Sequence, residues 1–310
     1  MKILSKTIGC EIAAGPGERL ADIDPAIVVP LLKKDGYVHF TGYQPTLAEF
    51  EAFTGRFGTC AGARHVHYPE GGEALGFHAE DSYNPYRPDA IWFLCLFEGS
   101  DGGAPTGAVD GVRLLNELSP RWREFCRANT LRFERHWGEE TWRTAAGGAT
   151  AGEVGQVLDS LPGFSHQFLP DGTLYTCCET PIVIRTPNGD DSFSNTMLQA
   201  MTEQTFYGMT LGDGTPVPRE LLEIVERWAF EHEIEIGWSA GEVAVIDNYR
   251  MMHRRAEYHG KDRDLRARHC ENLFGTRLPD DSTELAAGVK SLIQSDVGLP
   301  VATGPIPTTV

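Results

Sequence analysis

The sequence predicts a single α+β domain, mainly β with flanking helices, closed as a double-stranded β-helix (jelly roll). Three observations carry this reading. Helical periodicity is concentrated near the start of the chain. Short apolar or alternating runs of strand length dominate from about residue 89 onward. No strand–helix alternation and no break in composition divides the 310 residues. The domain is read as 1–310, with a jelly-roll core over about 35–278, a Gly/Ala/Thr-rich insertion or lid over about 138–165, and a C-terminal tail over 279–310.

The elements follow in order. "DIDPAIVVPLLKKDGYVHF" predicts a helix from about Pro25 to Lys34, ended by Gly36, and then an alternating strand Tyr37–Phe40. "PTLAEFEAFTGRFG" predicts a helix whose N-cap is Thr46, with Glu49 three residues on completing a capping box and Gly58 closing it. The run "DAIWFLCLFEG" over 89–99 is continuously apolar, as in a strand covered on both faces, with Trp92 and Phe93 most simply core. A helix is expected around 114–128, and "TLRFERHW" then alternates. The Asn188–Gly189 pair marks a turn between two strands, and Pro218 opens an amphipathic helix running to about His232. "GEVAVIDNYRMMHRRA" and "LRARHCENLFG" read as strands.

Composition narrows the function classes. Forty-four acidic residues against 27 basic give a net charge of −17, which opposes binding to a phosphate backbone, so no nucleic-acid partner is expected. Seven cysteines, an odd number without C-x-x-C spacing, suit reduced thiols, and no apolar window is long enough to span a membrane. A cytoplasmic protein acting on a small molecule is the expectation, with no membrane partner and an oligomeric state the sequence leaves open.

The chemistry is concentrated in "GFHAEDSYNPYRPD". In a strand, residues i and i+2 share a face, so His78 and Glu80 offer an imidazole and a carboxylate to one point. The third ligand is expected from His253, where "VAVIDNYRMMH" brings a strand through a turn to a histidine. Two histidines and one carboxylate on one face of an ion are the donor set of non-haem iron(II) oxygenases, and the absence of a thiolate suits iron. H-x-E alone arises readily among ten histidines and 44 acids. The ordered set, "HAEDSYNPYRPD", an apolar strand, "GGAPT", "VIDNYRMMH" and an arginine-rich strand, is far more specific.

That set resembles the iron(II)/2-oxoglutarate-dependent oxygenases of the taurine dioxygenase-like (TauD/TfdA) superfamily. The H-x-E segment is similar to that of the clavaminate synthase and amino-acid β-hydroxylase branch. The resemblance covers roughly 30–275 and implies that His78, Glu80 and His253 bind Fe(II), that 2-oxoglutarate is the co-substrate and O₂ the oxidant, and that succinate and CO₂ are released. The expected reaction is hydroxylation of an unactivated C–H in a small polar metabolite, an amino acid or a natural-product intermediate. Because Glu80 keeps the carboxylate that related halogenases lack, chlorination is not expected. The family also needs an arginine fork for the far carboxylate of 2-oxoglutarate. Arg268 is favoured, Arg266 is second and Arg263 remains open. Thr106 in "GGAPT" matches a threonine that shares this carboxylate.

Other candidates carry a functional and a bland reading together. His65 and His67 share a strand face as a pocket wall or a polar loop. Asp81 is a hydrogen-bond acceptor behind the site or a surface acid. Tyr83 and Arg87 orient substrate or stabilise the turn at Pro88, Asn195 lines the substrate pocket, and His269, on the face opposite Arg268, is structural. The alternative to an oxygenase is a cupin-type metal-binding or isomerase protein on the same barrel, for which the arginine cluster would have no use.

Overall fold

The computed structural model describes residues 1–6, 8–66, 74–100, 104–202, 208–257 and 262–295. The opening helix forms over Pro25–Asp35. Asp24 accepts from the Ala26 N–H at 2.9 Å, Pro25 supplies a φ already suited to a first helical residue, and Gly36 ends the helix in the left-handed region at φ 76°. A Cβ at Gly36 would sit 2.8 Å from Met251 Sδ, so the same glycine admits the strand that carries His253. The reciprocal Thr46–Glu49 capping box opens the helix Leu47–Thr54. That helix ends at Thr54, not at Gly58. Gly58 serves a different purpose, because a Cβ there would overlap the carbonyl of Glu271 on the neighbouring strand.

Two sheets frame the site. The major sheet runs in the order Lys2–Ser5, Cys10–Ala13, Tyr37–Thr41, Val243–Asp247, Ala90–Phe97, Asp264–Glu271 and Thr59–Cys60, and Arg64–His65 also pairs with Asp264–Glu271. The minor sheet runs Ile234–Ile236, Thr106–Asp110, Met251–Arg255 and Leu75–His78, antiparallel throughout. One buried cluster joins them: Ile91, Phe93, Ala244, Ile246 and Leu265 from the major sheet meet Ala108, Ile236 and Met251 from the minor one. On the other face of the major sheet, Trp92, Leu94, Val245 and Cys270 pack against Val28 and Leu32 of the first helix and Phe50 and Phe53 of the second. The strand Ala90–Phe97 is therefore covered on both faces, as its unbroken apolar run requires.

A third sheet, ordered Phe164–Phe168, Leu174–Pro181, Thr130–Trp137 and Gly208–Leu211, extends the molecule. The single helix expected around 114–128 is two, Gly111–Glu117 and Pro120–Ala128. Pro120 has no N–H to continue the first helix and disfavours helical geometry at Ser119. The 138–165 stretch, expected as an insertion or lid, forms the helices Glu139–Ala145 and Ala151–Asp159 and leads into the third sheet. Its Trp142, Val154 and Leu158 share a buried core with Val289 and Leu292 of the C-terminal helix Glu284–Gln294. It is a packed layer, and none of its residues lines the cavity described below. The turn at Asn188–Gly189 joins Ile184–Arg185 to Asp191–Ser192, and Pro218 precedes the helix Arg219–His232. Among the described residues no helix is long and apolar enough to cross a membrane.

Candidate active site

His78 and His253 are direct cross-strand partners in the minor sheet, and their ring centroids lie 4.3 Å apart. Register alone makes them neighbours. Glu80 arrives differently. The strand Leu75–His78 ends at the first histidine, and Glu80 sits in the turn beyond it, followed by Asp81 at φ 53°. The same-face rule for strands therefore does not place this carboxylate. Asn248 does. Its Oδ1 accepts from the Glu80 N–H at 2.8 Å, and its Nδ2 donates to the Glu80 and Pro88 carbonyls at 2.8 and 2.9 Å. The Ala79 N–H adds a bond to the Asn195 carbonyl at 3.0 Å.

The three donors converge. Glu80 Oε2 lies 3.5 Å from His78 Nε2 and 3.8 Å from His253 Nε2, and all three ligand atoms fall within 4.8 Å of one another. His78 Nδ1 is 2.9 Å from the Gly76 carbonyl, so that nitrogen carries the proton and Nε2 keeps its lone pair for an ion. Burial, followed by the positive field of His78, pushes His253 down to about 3, so it is held neutral. Burial alone would raise the Glu80 carboxyl. The facing His269 and His78 outweigh it and hold Glu80 well below the usual carboxylate range. Two imidazoles and one carboxylate, aimed at one point and largely buried, fit a divalent first-row ion. This is the donor set of a mononuclear non-haem iron(II) oxygenase.

The site opens on a cavity of about 380 Å³. Phe93 forms part of its wall and meets His253 edge to face at 5.7 Å, so it is site as well as core. Thr106 lies on the wall with its hydroxyl accepting from Trp238 Nε1 at 3.0 Å, and Tyr83 and His65 also border it. His67 lies outside the described residues. The arginines divide by strand parity. Arg263 is buried and faces the cavity. The favoured Arg268 does not: it points to the other face of the strand, where Nη1 donates to the Glu51 carbonyl and to Thr54 Oγ1 at 2.6 Å, and Nε donates to the Ala61 carbonyl. Arg266, on the same outer face, is held by Asp264 at 2.6 Å.

Two substrate candidates are likewise turned away from the cavity. Asn195 is buried, donating to the Ile182 carbonyl at 3.0 Å and accepting from the Met197 N–H at 2.9 Å. Arg87 is locked on Ser194 at 3.0 and 2.9 Å, on the Asn248 carbonyl, and over the Tyr249 ring at 4.9 Å. Both shape the loop behind Glu80. Asp81 is not a surface acid. It is buried, accepting from Asn84 at 3.0 Å and from Gln294 of the C-terminal helix at 2.9 Å. His269, expected as structural, faces the site, with Nε2 3.1 Å from Glu80 Oε1. Its parity relative to Arg268 was legible. Which face of the strand looks inward is set by the packing of the helices Pro25–Asp35 and Leu47–Thr54 on the other face.

Comparison with known proteins agrees with the class. The profile of the family described as "Taurine catabolism dioxygenase TauD, TfdA family" matches residues 12–269. No curated protein matches the sequence. Among solved structures, AAD-2 in complex with Mn(II) and N-oxalylglycine is similar with a TM-score of 0.61 at 17% identity, covering 90% of this chain and 100% of that one. The PvcB protein from Pseudomonas aeruginosa gives 0.57 at 15% identity, covering 85% and 86%. A taurine dioxygenase from Burkholderia xenovorans gives 0.54 at 20% identity, covering 87% and 90%. The chain belongs to the TauD/TfdA family, and it is a dioxygenase dependent on iron(II), 2-oxoglutarate and O₂.

Proposed function

We propose that His78, Glu80 and His253 hold the iron(II), that Arg263 and Thr106 bind the far carboxylate of 2-oxoglutarate, and that the enzyme hydroxylates an unactivated C–H of a small polar metabolite. The convergence of His78 Nε2, Glu80 Oε2 and His253 Nε2 within 4.8 Å carries this reading. The two facing sheets are read as the halves of a double-stranded β-helix, with the triad at its mouth. Bound iron with 2-oxoglutarate supplies oxidative decarboxylation to succinate and CO₂ and the oxidising power for the C–H.

The rest is the work of the chain. The Gly76 carbonyl fixes the His78 tautomer, and Asn248 fixes the main chain of Glu80. Phe93, Ile91 and Leu265 exclude water from one wall of the cavity. Arg263 offers a planar fork that lysine cannot reproduce, and it replaces Arg268 in this role because, of Arg263, Arg266 and Arg268, it is the one that lines the cavity, which Arg64, Arg254 and Arg255 also border. The main substrate is proposed as an amino acid or natural-product intermediate. The similar PvcB is an oxygenase from an isonitrile synthetic pathway, which favours the natural-product side of that choice. Tyr83 and His65 stand on the wall where such a substrate would lie. The cupin-type alternative has no use for a buried arginine facing the metal cavity.

Anaerobic addition of Fe(II) and 2-oxoglutarate to the protein tests the site. A visible charge-transfer band is expected in the wild type and its loss in His253→Ala and Glu80→Ala. No band in the wild type would remove the 2-oxoglutarate reading.

A further inference from the structure

Glu80 has two oxygens in different company. Oε2 faces the two ligand imidazoles. Oε1 faces away, 2.8 Å from Arg64 Nη2 and 3.1 Å from His269 Nε2, and those two nitrogens are themselves 2.8 Å apart. Arg64 comes from the short strand Arg64–His65 at the edge of the major sheet and His269 from the strand it pairs with, so one sheet edge supplies both groups. Asp81 lies behind His269, with Oδ2 3.8 Å from Nδ1, and is itself held by Asn84 and Gln294. Beyond this bridge lies a second cavity of about 170 Å³, also bordered by Arg64, Glu80 and His269. Without the bridge, the carboxylate would have room to turn.

We infer that Arg64 and His269 are positioning residues that hold Oε1 of Glu80 away from the metal, so that the carboxylate ligates through Oε2 alone and leaves a position for 2-oxoglutarate. A carboxylate released from this hold can swing both oxygens onto a divalent ion. That would occupy a position the co-substrate needs while keeping the ion bound. The inference rests on the proposed metal site and adds to it two residues that touch neither the ion nor the reacting atoms.

The consequence is a split between two affinities. Co(II) is titrated into wild type, Arg64→Lys, Arg64→Ala, His269→Gln and His269→Leu, followed calorimetrically and by the visible Co(II) spectrum, and 2-oxoglutarate is then titrated into each Co(II)-loaded protein. Partners behind a ligand typically change affinity by about 10–100-fold. His269→Leu and Arg64→Ala are expected to keep Co(II) at wild-type affinity or tighter, with an altered Co(II) spectrum. They should bind 2-oxoglutarate at least about tenfold more weakly. His269→Gln, which returns a donor near the position of Nε2, and Arg64→Lys should recover most of that loss. A merely structural role would weaken Co(II) and 2-oxoglutarate together, with no rescue by His269→Gln, and would overturn the inference. So would wild-type 2-oxoglutarate affinity in His269→Leu. Failure of the metal site itself reads differently, because wild type and His78→Ala would then bind Co(II) alike. Thermal melts of the metal-free variants identify any that fail to fold.

Discussion

The two faces of the strand Asp264–Glu271 and its entry residue Arg263 each carry arginine, and they have opposite surroundings. Arg263, Leu265, Ala267 and His269 look into the cavity with the three proposed ligands. Asp264, Arg266, Arg268 and Cys270 look away. Arg268 there ties the strand to the helix Leu47–Thr54, and Cys270 enters the core beneath that helix. The arginine on one face is the one proposed to meet the co-substrate, and one on the other is a structural staple. The difference lies in the period-2 alternation of the strand and in which sheet face the helices cover.

That contrast can be broken by substitution. The largest effect is expected at Arg263. Arg263→Ala removes a charge-assisted contact worth ~1.5–3 kcal/mol, so the KM for 2-oxoglutarate should rise by about 10–100-fold while the melting temperature changes little. A wild-type KM for 2-oxoglutarate would return the role to another arginine. Next in size is a pH effect at Asp247, the last residue of the strand Val243–Asp247 before the turn to His253, whose carboxyl burial pushes up to about 7. Its folded pKa lies above its unfolded one, so its neutral form stabilises the fold below about pH 4, and that stability is lost as pH rises to about 7. His253 has the opposite slope: held neutral, it contributes stability that is present above its unfolded pKa and lost as pH falls towards about 3. Urea unfolding of wild type and Asp247→Asn at pH 5 and pH 7.5 should separate them. The variant gains stability relative to wild type on going to the higher pH, by ~2–3 kcal/mol. Equal pH dependence in both proteins would mean that Asp247 is ionised in the fold.

Arg268→Ala should show the reverse of Arg263→Ala, with a loss of ~1–3 kcal/mol in stability from its bonds to the Glu51 and Ala61 carbonyls and Thr54, and a KM for 2-oxoglutarate within about twofold of wild type. The smallest effect belongs to Arg266. Its pairing with Asp264, two residues away at the sheet's outer face, should be worth less than about 1 kcal/mol, and Arg266→Ala should be close to silent in both assays.

Much of the molecule was written locally. Asp24, Gly36 and the Thr46–Glu49 pair set helix ends because caps depend on neighbours within one turn. The apolar run 90–97 announced a strand covered twice. The ordered H-x-E and distal histidine pointed to the three side chains that converge as the proposed iron site, because ligand chemistry restricts the residue types. Parity fixed that Arg263 and His269 lie on one side of their strand and Arg266 and Arg268 on the other. The choice of side belonged to the tertiary structure. It follows from which sheet face the two N-terminal helices cover, a contact between segments some two hundred residues apart. The placement of Glu80 was decided in the same way, by the side chain of Asn248 reaching across from another strand connection, and so was the approach of Arg64 and His269 to its second oxygen. Residue type and spacing determine what a segment can do, whereas its partner at long range is set only when the sheets close.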